Sequence, residues 1–163
     1  MIEFKQITFD NYKECISLNP GEQGSKYVAP NLNSLAISSV AKETNVCIPM
    51  RYAIYNDDVM VGFIMMSFLG KDQDNDEEEN TYDIWRFMVD EQYQGKGYGR
   101  QALVKAINLI KTFPHGVANK LVLSYVPGNE GGSHLYESVG FVATGEISDG
   151  EVVMELDLET AFE

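Results

Sequence analysis

Basic residues are scarce in this chain. Twelve Lys and Arg face 25 Asp and Glu, a formal net charge of −13 over 163 residues. Nucleic acid and anionic membrane surfaces reward Lys/Arg patches, so neither is an expected partner. Cysteine is nearly absent: Cys15 and Cys47 make no disulfide framework and sit in no metal-ligand spacing. The two histidines, His115 and His134, stand without Cys or paired acidic ligands, so no metal site is expected. Long hydrophobic runs are missing too. The longest, Val59–Leu69, is interrupted by Gly62 and Ser67 and is too short to span a bilayer. The N-terminus, MIEFKQITFD, lacks the basic and apolar regions of a signal peptide. The expectation is a soluble, cytoplasmic protein.

What is present has globular proportions, 44% apolar and 23% charged, and the length suits one domain over residues 1–163 with a proper core. Ile2, Phe4 and Ile7 alternate as in a strand. A brief helix follows, capped by Asp10 and running to Leu18. Residues 20–33 read as loop, and Asn33 or Ser34 can cap a helix to about Thr44. Residues 50–55 and 59–68 flank the turn Asn56-Asp57-Asp58 as a hairpin. Residues 71–80 carry six carboxylates in ten positions and read as an extended acidic loop. Thr81–Val89 is a strand, 99 to about 113 a helix stopped by Pro114, 121–126 a strand, and 130–139 a short helix ending at Gly140. A closing hairpin pairs 141–146 with 151–158. This order, antiparallel hairpins around one strand–helix–strand unit, predicts an α+β fold with a mixed, mostly antiparallel central sheet and about four helices.

Between the strand Thr81–Val89 and the long helix lies Gln94-Gly95-Lys96-Gly97-Tyr98-Gly99-Arg100. Alternate glycines before a helix let backbone N–H groups converge on one concavity, a ready site for phosphate. The alternative is a turn that is glycine-rich only for close packing. A Walker loop needs Gly-Lys-Ser/Thr at its end, and a dinucleotide fingerprint needs Gly-x-Gly-x-x-Gly with an acid about 20 residues on; neither is here. The spacing of Gln94, Gly97 and Gly99 fits Gln/Arg-x-x-Gly-x-Gly/Ala. It resembles the pyrophosphate loop of the GCN5-related N-acetyltransferases (GNAT). About 30 residues downstream, Asn129-x-x-Gly132-x-x-Leu135-Tyr136-Glu137-Ser138-Val139-Gly140-Phe141 is similar to that family's second cofactor motif, with Gly132 where Ala is frequent.

The resemblance implies a sheet with a splayed parallel strand pair and an acetyl-CoA donor, released as coenzyme A. It implies that backbone near Met88 and Val89 pairs with the pantetheine arm and steadies an oxyanion. Gln94, Gly95, Lys96, Gly97, Tyr98, Gly99 and Arg100 would cradle the pyrophosphate. Asn129 and Gly132 would open the following helix, or Asn129 would tie the splayed strands. Tyr136 would be the general acid for the leaving thiolate, with a core tyrosine stacked on Phe141 as the alternative. His134 lies two positions away, on another helical face, and reads as a surface residue. A homodimer through the closing hairpin is a family-level expectation.

An attacking amine must first lose a proton. Period-two alternation puts Asp83, Trp85, Phe87 and Val89 on one strand face, provided no bulge intervenes. Asp83 is thus a candidate base or ammonium anchor, a solvated strand-end aspartate being the other reading. The net charge, the acidic loop and Trp85 suit a small cationic amine. The segment Tyr27-Val28-Ala29-Pro30-Asn31-x-x-Ser34-Leu35-Ala36 resembles one in bacterial spermine/spermidine acetyltransferases, as does the run from Met88 to Gly99. It implies acetylation of a polyamine, with Tyr27, Asn31, Ser34 and Trp85 near the amine. The alternatives are another cationic acceptor, such as an aminoglycoside- or streptothricin-like antibiotic, and a non-catalytic acyl-CoA-binding module.

Overall fold

A computed structural model describes residues 1–71 and 79–159; most of the acidic loop, residues 72–78, lies outside them. The expected α+β architecture is present. One seven-stranded sheet runs in the order β1-β2-β3-β4-β5-β7-β6. Its strands are β1 (Ile2–Gln6), β2 (Ile48–Asn56), β3 (Val59–Leu69), β4 (Thr81–Val89), β5 (Lys120–Tyr125), β6 (Val142–Ser148) and β7 (Glu151–Asp157). All neighbours pair antiparallel except β4 and β5. Five helices accompany it: α1 (Tyr12–Ser17), α2 (Gly21–Gly24), α3 (Asn31–Glu43), α4 (Tyr98–Ile110) and α5 (Glu130–Glu137).

Two apolar clusters cover opposite faces of the sheet. Ala102, Leu103, Ala106, Ile107 and Ile110, at helical spacing on α4, pack on Ile64, Met66, Tyr82, Ile84, Leu121 and Met154. Burying each large aliphatic side chain there contributes about 1.5–3 kcal/mol. Cys15 of α1, with Leu35 of α3 packed alongside, meets Ala53, Phe63, Met65 and Met88 on the other face. Strand β3 is covered on both faces, which is why it reads as a continuous apolar run.

Three local expectations need correction. Residues 20–33 are not all loop, because Gly21–Gly24 forms α2. Helix α3 starts at Asn31, before Asn33 or Ser34: Pro30 sets an extended residue at its N-cap (φ −53, ψ 143) and its carbonyl already accepts from the Ser34 N–H at 3.2 Å. The N-cap of α1 is Asn11 rather than Asp10, because the Asn11 amide is fixed between Thr8 N–H (2.8 Å) and the Gln6 carbonyl (2.9 Å).

A bulge in β4 decides what faces the site. Met65 pairs with Arg86 but Met66 pairs with Ile84, leaving Trp85 as the extra residue. Asp83 and Trp85 therefore share a face with Arg86 and Met88, while Phe87 and Val89 turn toward α4. The expected single face of Asp83, Trp85, Phe87 and Val89 is split by this extra residue.

Candidate active site

Strands β4 and β5 pair over only three positions, Tyr82↔Leu121, Asp83↔Val122 and Ile84↔Leu123. Beyond Ile84 they diverge, and a cleft of about 1120 Å³ opens between them. That is at the upper end of the range usual for a small-molecule site. The Asp90 N–H donates to the Val61 carbonyl at 2.9 Å. By alternation the Met88 amide also faces β3, so the Phe87 and Val89 backbone groups point into the cleft. The free donor expected near Met88 and Val89 is therefore that of Val89.

The glycine turn leaves backbone donors open, the arrangement an anion site requires. Gly95 (φ +73) and Gly97 (φ +80) are left-handed, a conformation that opens the chain into a concavity. Gly97 is the N-cap of α4 and brings no side-chain cap, so the first N–H groups of a 13-residue helix stay available. Gly99 answers a different need: a Cβ there would lie 3.3 Å from Leu135 Cδ2 and 3.7 Å from Phe87 Cζ. Arg100 lines the cleft. Lys96 Nζ stands 5.4 Å from the centroid of the Tyr93 ring, and the Tyr98 hydroxyl accepts from Asn56 Nδ2 at 3.3 Å. Gln94 lines the cleft with its side chain already committed, Nε2 donating to the carbonyls of Pro20 (3.0 Å) and Val89 (2.9 Å). Gln94 frames the turn; the backbone N–H groups and Arg100 are what a pyrophosphate would meet.

Asn129 caps α5, its Oδ1 accepting from the Gly132 N–H at 3.0 Å. Gly132 permits that cap, since a Cβ would fall 2.5 Å from Asn129 Nδ2. Tyr136 projects from α5 into the cleft, its ring edge-on to Phe141 (6.2 Å) and tilted to Tyr125 (6.5 Å). Core stacking and cleft exposure thus coexist in one residue. Burial, and after it the Glu151 carboxylate, push the phenol up to about 12. The proton stays on Tyr136 throughout the neutral range, ready to be given. His134 is exposed, as expected.

Asp83 lines the same cleft and accepts a hydrogen bond from Ser67 Oγ. Burial pushes its carboxyl up to about 6, against the pull of the Ser67 hydrogen bonds and the Arg86 guanidinium. A carboxylate with that affinity is suited to take a proton near neutral pH. Trp85 and Tyr27 line the cleft too. The Arg86 guanidinium already stands 5.9 Å from the Trp85 ring centroid, and the Tyr27 hydroxyl donates to the Gly128 carbonyl at 3.2 Å. Asn31 and Ser34 are not presented to the cleft. Both are buried: Asn31 Nδ2 donates to the Cys15 carbonyl at 2.9 Å, and the Ser34 hydroxyl to Pro30. Asn31 ties α3 to α1, while the Ser34 hydroxyl bonds back to the N-cap of its own helix.

Three carboxylates at the cleft escape a linear reading: Glu146, Asp149 and Glu151, from the β6–β7 hairpin. Glu151 accepts from Ser124 Oγ at 2.6 Å. For Glu151 the signal was parity. Buried Met154 and Leu156 fix one face of β7 to the core and leave Glu151 and Val153 on the other. Against Asp83 and these three, the cleft brings only Arg86 and Arg100 among the described residues.

A sheet opened by a splayed parallel pair, a glycine turn feeding a helix N-terminus and a protonated tyrosine opposite define an acyl-CoA-type transferase site. A family model described as acetyltransferase (GNAT) family matches residues 21–141, and the chain belongs to that family. It is an acetyl-CoA-dependent N-acetyltransferase. A relative from Bacillus subtilis (strain 168), spermine/spermidine N(1)-acetyltransferase, is 29% identical over 160 residues, covering 96% of this chain and 99% of its own. Among solved structures, PaiA N-acetyltransferase of Thermoplasma acidophilum in complex with coenzyme A aligns over 96% of this chain and 99% of that one (TM-score 0.68, 15% identity). A spermidine N-acetyltransferase SpeG chimera from Vibrio cholerae and hSSAT aligns over 99% and 98% (TM-score 0.69, 15% identity). No helix among the described residues is long and apolar enough to cross a membrane.

Proposed function

We propose that the protein transfers an acetyl group from acetyl-CoA to a primary amine of a polyamine such as spermine or spermidine. The carrying observation is the acceptor end of the cleft, where Asp83, Glu146, Asp149 and Glu151 outnumber the cations. Such a lining attracts a tri- or tetra-cation and repels anionic acceptors. The similarity over nearly the whole length to a spermine/spermidine N(1)-acetyltransferase supports the same substrate class.

The donor supplies an activated acetyl thioester. In this reading the Gly95–Gly97 backbone, the open N-terminus of α4 and Arg100 bind its pyrophosphate. The Val89 N–H faces the cleft where a carbonyl oxygen gathers charge, and it steadies that charge as a fixed dipole. Asp83 accepts the proton of the ammonium, directly or through water, and the neutral amine attacks. As the C–S bond breaks, Tyr136 gives its proton to the departing thiolate, and the second proton shed by the nitrogen of the new amide restores the phenol. A thiol-release assay over an amine panel tests this function. Spermine and spermidine should turn over well ahead of aminoglycosides, streptothricin and peptides; turnover led by an antibiotic would sink the polyamine assignment.

A further inference from the structure

One wall of the cleft is made by the chain leading into and out of α2, including Pro20, Gln23, Gly24, Tyr27, Val28 and Ala29. Its near end is fastened to the segment that precedes the glycine turn. The Asn19 N–H donates to Asp90 Oδ2 at 2.9 Å, and the Asn19 carbonyl accepts from the Glu91 N–H at 2.9 Å. Gln94 Nε2 adds the bond to the Pro20 carbonyl. Asn19 Oδ1 accepts from the Gly21 N–H at 2.9 Å and starts α2. Gly21 (φ +85) lies so close under Glu91 that a Cβ would come within 2.6 Å of its carboxylate. The far end carries an exposed hydrogen bond from Tyr27 to Gly128, and Val28 packs on the cluster around Cys15 and Met88.

Asp90 is the centre of this fastening, and its burial is unusual for a carboxylate, at 6% exposure. A buried charge is costly unless hydrogen bonds satisfy it. Here one oxygen takes Asn19 and the other takes the Gln92 N–H at 3.0 Å, capping the 3-10 turn Glu91–Tyr93 that leads into Gln94. One side chain thus anchors both the approach to the donor turn and the acceptor wall.

We propose that Asp90 is a positioning residue that couples the two substrate sites, so that ordering of the glycine turn by coenzyme A also orders the amine-side wall, residues 19–29. The coupling rests on the acetyl-CoA-dependent activity and not on which amine is accepted. It predicts that coenzyme binding tightens the acceptor site without touching the amine.

The test is hydrogen–deuterium exchange on the full chain with and without coenzyme A, where no amine is present. Coenzyme A should slow exchange in residues 94–100 and in residues 19–29. Asp90→Ala and Gln94→Met should keep the first protection and lose the second, and Asp90→Asn, which retains one acceptor oxygen, should recover part of it. In steady state, Asp90→Ala should raise the KM for spermine about tenfold, while the Kd for coenzyme A measured without amine should stay within about twofold of the wild type. Should Asp90→Ala fold poorly, Gln94→Met carries the exchange test, since it leaves the buried carboxylate in place. Protection of residues 19–29 that is missing in the wild type, or that persists in both variants, overturns the coupling. Loss of protection at both segments in the wild type overturns the coenzyme site along with it. A failure of the polyamine assignment alone leaves the exchange result standing.

Discussion

In the proposed reading, the two ends of the cleft are built on opposite principles. At the donor end the work falls to the backbone: left-handed Gly95 and Gly97, the uncapped start of α4 and the inward Val89 N–H. Those groups are contiguous in the chain, and most side chains there brace the turn. At the acceptor end the work falls to side chains from separate elements. Asp83 comes from β4, Glu146 and Glu151 from β6 and β7, and Tyr27 from the segment after α2. Backbone sites are set by local conformation, whereas side-chain sites are set by tertiary packing. The two ends should therefore break in different kinetic constants.

Tyr136 stands between them and carries the largest expected effect. Tyr136→Phe keeps the ring contacts with Tyr125 and Phe141 and removes only the phenolic hydroxyl. It should lower kcat roughly 100-fold or more while both KM values stay near the wild type. A parallel loss in coenzyme affinity would show that the phenol is a binding group rather than an acid. Gly97→Val comes next. A β-branched residue at φ +80 is strained by roughly 1–3 kcal/mol, so the turn reopens and the KM for acetyl-CoA rises roughly 10- to 100-fold. The KM for the amine should move much less, apart from what the Asp90 fastening transmits. Equal increases in both would erase the contrast between the two ends.

The same contrast explains what the sequence disclosed. Gln94, Gly97 and Gly99 were readable because turn conformation is written in local residue identity, and Asn129–Phe141 confirmed them by spacing. The bounds of β4 followed from its alternation. The bulge at Trp85 did not, since it arises only when β4 is paired against Met65 and Met66 of β3. Asn31 and Ser34 look like acceptor residues in a linear motif. They became interior only because α3 lies on α1 and the sheet, with Asn31 reaching the Cys15 carbonyl and the sulfur of Met88. Gln94 matched its motif position, but its bond to Pro20 required knowing where a segment 74 residues earlier folds back. Asp90 lay within the Met88–Gly99 run, but nothing in the run gave it a role, as its partners are backbone groups.

A smaller effect probes Asp83 through pH. With its carboxyl pushed up to about 6, the base form fills as pH rises through that value, so kcat/KM should climb with a limb near pH 6. Asp83→Asn should remove the limb and lower kcat roughly 10- to 100-fold. Ser67→Ala deletes a hydrogen bond that favours the charged form, so it should displace the limb to higher pH. An unchanged profile in Asp83→Asn would leave the carboxylate without a role in proton removal.

The least effect is expected where the acceptor end meets solvent. Glu151 is half-buried and bonded to Ser124, while Glu146 is exposed, so under the polyamine proposal each would act on the substrate through screened charge. Glu151→Gln should raise the KM for spermine by only about two- to threefold at low salt, and the difference should shrink as salt is added. The substitution also takes a negative charge from beside Tyr136, which lowers the phenol from its raised position. That shift leaves the phenol protonated near neutrality, so kcat should hold. Spermine should suffer more than spermidine, because the longer amine has one more charge to place on the hairpin. An equal effect on both, or none at any salt, would move the distal ammonium away from β7 and restrict the acceptor site to Asp83 and its neighbours on β4.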